Sequence, residues 1–332
     1  TLRTCPVIQK GRTMDKTYLI SQSTTLTIVI AISLIFTLIG LYHSSKFKGI
    51  NNYLTANRNI GSFSLTTSLV ASALGAWILF GPAAAATWGG VGAVIGYALG
   101  TAFPMIFLIY LGKKIRTEFP KGSSLIEFMR KKFGKSLFKL ILLMTIFYMF
   151  IFLCAEVTAV AILINYISGT ELWITALIVL LATLTYTLYG GLRASIFTDN
   201  IQMIVIGILL LISISYILSH TGDNFSFEFI KQKNPQLLSG SYVPSYTAGL
   251  TFFIAVAATN LFHQGNWQRV YAAKNYQTLK QSLLISFFII IPIVFFMGFT
   301  GMLSFSIDPS QRPDLGFFTL LLKEQTQTLS LL

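Results

Sequence analysis

Apolar stretches of about 18 residues or more recur along the chain, and a run of that length is enough to cross the hydrocarbon of a bilayer as a helix. Eight such spans can be drawn in the 332 residues, at 19–43, 63–86, 90–112, 138–167, 171–189, 197–219, 246–263 and 281–305. Hydrophobic residues make up 54% and charged residues only 11%, where an ordinary soluble domain is roughly a quarter charged. The expected fold class is an all-α polytopic membrane protein, with the lipid bilayer as its first partner.

The net charge of +13 is explained by topology. If the stretch after the first span is cytoplasmic, then 44–62, 113–137, 190–196 and 264–280 are all inside. With Lys139 at a span edge, they hold 16 of the 24 basic residues, and seven of the 11 acidic residues fall on the other side. Lys and Arg collect in cytoplasmic loops, so the chain is expected to lie in the cell (inner) membrane with its N-terminus outside. No stacking platform or basic helix accompanies the charge, so no nucleic acid is expected as a partner. Arg3, Lys10 and Arg12 run against the bias, and a start at Met14 would remove them. Residues 1–13 are therefore expected to be a non-native or upstream leader, the alternative being a short external tail. No cleavable signal peptide is apparent. Cys5, in the leading tail, and Cys154, within an apolar run, form neither a disulfide nor a metal pattern.

Two spans are interrupted. The second, SLVASALGAWILFGPAAAATWGG, carries Gly75 and then Gly81-Pro82. Proline removes a backbone donor and crowds the preceding turn, which predicts a break or kink there. The seventh loses its apolar character at Thr259-Asn260, and His263, Gln264, Gly265 and Asn266 follow at what should still be membrane depth. Freed backbone groups at that depth persist only where they line a polar cavity or meet an ion. The breaks lie five spans apart, and paired broken helices at corresponding positions of two halves point to the binding site of a secondary transporter. In the third span, Gly92, Gly96 and Gly100 present one smooth face for close packing. In the fourth, Glu156 lies near the midpoint of the bilayer, where a carboxylate has to face the bundle and find a partner or a proton.

Four collinear stretches resemble the sodium:solute symporter family: YGGLRASIFTDNIQ at 189–202, SLVASALGAWILFGP at 68–82, QRVYAAKN at 268–275 and PKGSSLIEFMRKKFG at 120–134. The resemblance implies an inverted-repeat fold of five plus five helices preceded by one extra helix. In that scheme 14–44 is the extra helix, 45–219 the first repeat, and 220–306 the start of the second. Residues 307–332 would be an external loop, with the chain truncated before the eighth core helix, where the family's ion site is completed by hydroxyl side chains. The implied ligands of a sodium ion are the carbonyls of Ala71 and Leu74, with Asp199 associated with its binding or release. Oxygen donors of this kind suit a hard cation. Asp199 could also simply cap its helix. Solute would bind among Trp77, Glu156, Asn260, His263 and Asn266. Trp77 could equally be core filling, and His263 an ordinary hydrogen-bonded histidine. Some relatives have an aspartate where this chain has Ala73.

The function implied is sodium-coupled symport of a small polar organic solute by alternating access, with the chain expected to be an inactive fragment. Glu156, if ionised and facing inward, favours a zwitterionic or cationic solute. A different class of function is a solute-sensing membrane module of a signalling kinase. No metal-spaced cluster, serine elbow or phosphate loop suggests an enzyme.

Overall fold

The computed structural model describes residues 18–322, so the 1–13 leader and the end of the 307–332 segment lie outside the described residues. The chain is all-α, with no strand among those residues beyond a single bridge, Ile60 to Ala273. Its helices are α1 (Gln22–Ser45), α2 (Ile50–Thr55), α3 (Ser62–Ala73), α4 (Gly81–Glu118), α5 (Leu125–Ser168), α6 (Leu172–Thr221), α7 (Phe227–Lys233), α8 (Val243–Phe262), α9 (Gln264–Ala272), α10 (Tyr276–Ile307) and α11 (Gly316–Leu321).

Local chemistry sets the helix starts. Ser21, Ser124 and Asn275 cap α1, α5 and α10 by accepting from the amides of Thr24, Glu127 and Thr278, which satisfies donors that have no partner inside the helix. Glu127 reaches back to accept from Ser123 N at 2.9 Å, giving α5 a reciprocal cap. Pro82 and Pro244 stand in the first turn of α4 and α8, where a missing N–H costs nothing.

Six helices among the described residues are long and apolar enough to cross a membrane, and the chain is a multi-pass membrane protein. Two of the six join two predicted spans. Within α4, Gly90 takes φ 57 and ψ −153, and within α6, Gly191 takes φ 59 and ψ −147, a region that only glycine enters freely. At both sites a Cβ would overlap backbone, the Leu237 carbonyl and the Tyr53 carbonyl respectively. Gly134 bends α5 in the same way, at φ 80. Helix exteriors carry large apolar side chains, among them Leu38, Leu143, Phe147, Leu188 and Leu211, as hydrocarbon-facing surfaces require.

The smooth face of the third span meets α8. A Cβ at Gly92 or Gly96 would overlap the carbonyl of Ser245 or Gly249, and at Gly100 it would press on the carbonyls of Phe252 and Phe253. The basic loops gather at one end of the bundle. Arg58 donates to Pro120 O and Gly122 O, Arg116 to Val270 O and Ala273 O, and Arg193 to Asn52 Oδ1 and Ala56 O while lying over the Phe47 ring. At the opposite end, the described part of the segment beyond residue 306 is not a bare loop. It folds into α11, whose Phe317, Phe318, Leu320 and Leu321 are buried.

Candidate functional site

Both interruptions are real openings. The first falls at Leu74 and Gly75, which separate α3 from a 3₁₀ turn, Ala76–Leu79, ahead of α4. Of the two marks in the second span, Gly75 and Gly81-Pro82, the opening falls at the first, and Pro82 starts the next helix. Leu74 N donates back to Val70 O, and no donor among the described residues reaches Ala71 O or Leu74 O. The second opening is a single residue, His263, extended at φ −63 and ψ 116 between α8 and α9. Here Asn266 Nδ2 donates to Asn260 O at 2.9 Å and Trp267 Nε1 to Leu261 O at 2.8 Å.

One face of α5 touches both openings. Tyr148, Phe152 and Glu156 follow one another at four-residue spacing, which stacks them along one side of a helix. The Tyr148 hydroxyl donates to Thr259 O at 2.9 Å. The Phe152 ring lies 5.1 Å from that of His263. Glu156 Oε2 accepts from Ala76 N at 2.6 Å, and its carboxylate covers Gly75 so closely that a Cβ there would overlap Oε1. The two openings are thus separated by about one helical turn along α5, roughly 6 Å. Beside Tyr148, a cleft of about 420 Å³ lies between α5 and α8, lined by Met144, Thr259, Phe262 and Gln264 among others.

Asp199 lies elsewhere. Its Oδ2 accepts from Ser68 Oγ and from Arg269 Nη2, the latter at 2.7 Å, and Arg269 Nε donates to Ser68 Oγ at 2.6 Å. This triad, with Ser68 and Arg269 buried and Asp199 half-buried, ties α3, α6 and α9 together, one turn of α3 before Ala71. Sequence reasoning missed Ser68 and Arg269, although Arg269 stands in the quoted QRVYAAKN stretch. A charge next to membrane depth needs a partner, and Asp199 was the unmatched acid.

The structure therefore places Ala71, Leu74, Trp77 and Glu156 at or beside the first opening, and Asn260, His263 and Asn266 at the second. Three of these keep a buried polar atom with no hydrogen-bond partner: Trp77 Nε1, His263 Nδ1 and Asn266 Oδ1. Buried groups of this kind call for an explanation, and an unfilled ligand role is one. Among the described residues there is no cluster of His, Cys, Asp and Glu able to hold a metal ion. The oxygens offered are those of opened backbone, which suit a sodium ion carried as cargo.

A family model for the sodium:solute symporter family matches residues 53–314. The chain belongs to that family. Among curated proteins it is 27% identical over 265 residues to the spermidine transporter DUR31 of Candida albicans, covering 80% of this chain and 50% of that protein. It is 24% identical to sodium/glucose cotransporter 4 of Mus musculus, covering 86% of this chain and 45% of the relative, and 25% identical to human (Homo sapiens) sodium/myo-inositol cotransporter 2, covering 82% and 44%. The chain spans about half the length of these relatives. They are transporters, not enzymes. The fold is shared with a solved Na+-coupled sialic acid symporter in a substrate-bound outward-open state, at TM-score 0.71 and 16% identity over 92% of this chain and 69% of that one.

Proposed function

We propose that the protein is a sodium-coupled symporter of a small polar organic solute, working by alternating access in the cell membrane with its N-terminus outside. The observation that carries this reading is the stripe Tyr148, Phe152 and Glu156 on α5, which meets both helix openings within two turns. Paired openings of this kind are where secondary transporters bind ions and solutes. The orientation is supported by the basic loops, which meet at one end of the bundle.

In this mechanism the carbonyls of Ala71 and Leu74 supply part of a sodium site at the first opening. Solute lies between the openings, against Trp77, Glu156, Asn260, His263 and Asn266. The Ser68, Asp199 and Arg269 triad acts as a latch between the two halves. It holds α9, which follows the second opening, to α3, which precedes the first. Release of sodium toward the cytoplasm requires the latch to part, and Asp199 then becomes available to the departing cation. A ligand shifts such an equilibrium only through its different affinities for the two states.

The solutes for which these relatives are named run from a polyamine to a sugar and an inositol, so they do not select a solute for this chain. The test is uptake by the complete gene product under an imposed sodium gradient. Uptake should require sodium, and Asp199→Ala should alter the sodium concentration at half-maximal rate. Uptake that ignores sodium, or a sodium dependence unchanged by Asp199→Ala, would overturn the reading.

A further inference from the structure

Resting on the symporter reading, we infer that the solute is an organic cation carrying a primary ammonium group, and that Glu156 is the residue that selects it. The inference comes from how the first opening is closed. In transporters with broken helices, the N-terminal end of a half-helix presents free amides to an anionic group of the substrate. In this chain that place is already taken. Glu156, reaching across from α5, accepts from Ala76 N at 2.6 Å and lies over Gly75. A solute carboxylate would have to displace an internal one or lie against its charge.

The carboxylate is itself incompletely satisfied. Its hydrogen-bond donors among the described residues are backbone amides alone, those of Ala76 and Trp77, and no Lys, Arg or His pairs with it there. The buried Arg269 is committed to Asp199, Ser68 and Gly265 O. A carboxylate in the membrane interior normally pairs with a cation or marks a pathway. The groups around the two openings are also of the kind that receive a cation. Asn266 Oδ1 is an acceptor without a donor and is 99% buried, its residue being only 1% exposed. Phe152, one turn before Glu156, and Trp77, two residues after Gly75, supply aromatic faces that attract an ammonium. An ammonium brings three donors to a region with several acceptors and no free cation. A neutral polyol would leave the Glu156 charge uncompensated, and an anion would be repelled by it.

The test uses the complete gene product in proteoliposomes under an inward sodium gradient. The radiolabelled probes are putrescine, glucose and succinate, with heat stability in detergent measured against the same compounds. Putrescine should be taken up and should protect against heat, while glucose and succinate should do neither. Glu156→Gln keeps an acceptor for Ala76 N but removes the charge. It should weaken putrescine uptake and protection roughly ten- to hundredfold, the loss of one charge-assisted hydrogen bond. Glu156→Asp should retain part of both, and 22Na+ binding should be unchanged in either variant, which also shows that they fold. Sodium-driven uptake of glucose or succinate that is indifferent to Glu156→Gln would overturn the inference and leave the symporter standing. So would a loss of 22Na+ binding in Glu156→Gln with solute preference unchanged, which would make Glu156 an ion ligand. Putrescine protection that depends on Glu156 without any sodium-driven uptake would support the amine site and remove symport.

Discussion

At the first opening, Leu74 and Gly75, the polar group that meets the freed backbone comes from a different helix; at the second, His263, the chain supplies its own. Asn266 and Trp267 turn back to the carbonyls of Asn260 and Leu261, so the second opening is a local motif that needs only the residues around it. The first depends on Glu156, eighty positions from Ala76 in sequence, and leaves Ala71 O and Leu74 O without donors among the described residues. A break whose carbonyls are met locally is a stable joint. A break held by one carboxylate from a neighbouring helix has oxygens to spare for a cation and a charge to balance, which is why the sodium ion is assigned to the first, while the second contributes side chains to the solute.

Substitutions can break this comparison. The largest effect is expected from Gly75→Val, because any Cβ there overlaps the Glu156 carboxylate. Transport should be lost, because the carboxylate is pushed off Ala76 N and out of the opening. A Gly75→Val protein with normal uptake would mean that the carboxylate does not occupy the opening. Next, Arg269→Ala leaves Asp199 without its cation, and removing one partner of a buried pair costs about 3–5 kcal/mol. Thermal unfolding should show that loss, and the double replacement Asp199→Leu with Arg269→Met should recover much of it. Equal instability of single and double variants would deny the latch.

A smaller loss is expected at the second opening. Asn266→Ala removes the side-chain donor to the Asn260 carbonyl and leaves it the longer bond from His263 N, which costs about 1–1.5 kcal/mol, with little change in sodium affinity. A large change in sodium affinity would make the two openings equivalent and remove the distinction drawn between them. The smallest effect belongs to Tyr148→Phe, which removes one hydrogen bond to Thr259 O and should lower stability by about 1 kcal/mol, read as a modest shift in thermal midpoint.

Much of this was legible in the residues. Spans, turns and both openings follow from where apolar character stops and from glycines that no other residue can replace, such as Gly90 and Gly191 at positive φ. Of the second span's two marks Pro82 carries the stronger local signal, yet the opening lies at Gly75, which makes room for the side chain of Glu156 from a distant helix. Local rules read Pro82 as a helix breaker and could not tell that it starts a helix. Helix α11 was read as loop because six residues are too few for periodicity to register. At the site, individual candidates were visible as polar residues at membrane depth, but their pairing was not. That Asp199 would meet Arg269 across 70 positions, with Ser68 between them, is a property of the packed bundle and has no sequence period.

The central claim is that the opened backbone at residues 71–76 receives sodium. Hydrogen exchange of the complete protein, followed by mass spectrometry in sodium and then in choline of equal ionic strength, tests it most directly. Exchange at 70–80 should slow in sodium, with a weaker response at 258–266 and none in α1. Identical exchange at 70–80 in the two salts would contradict the account.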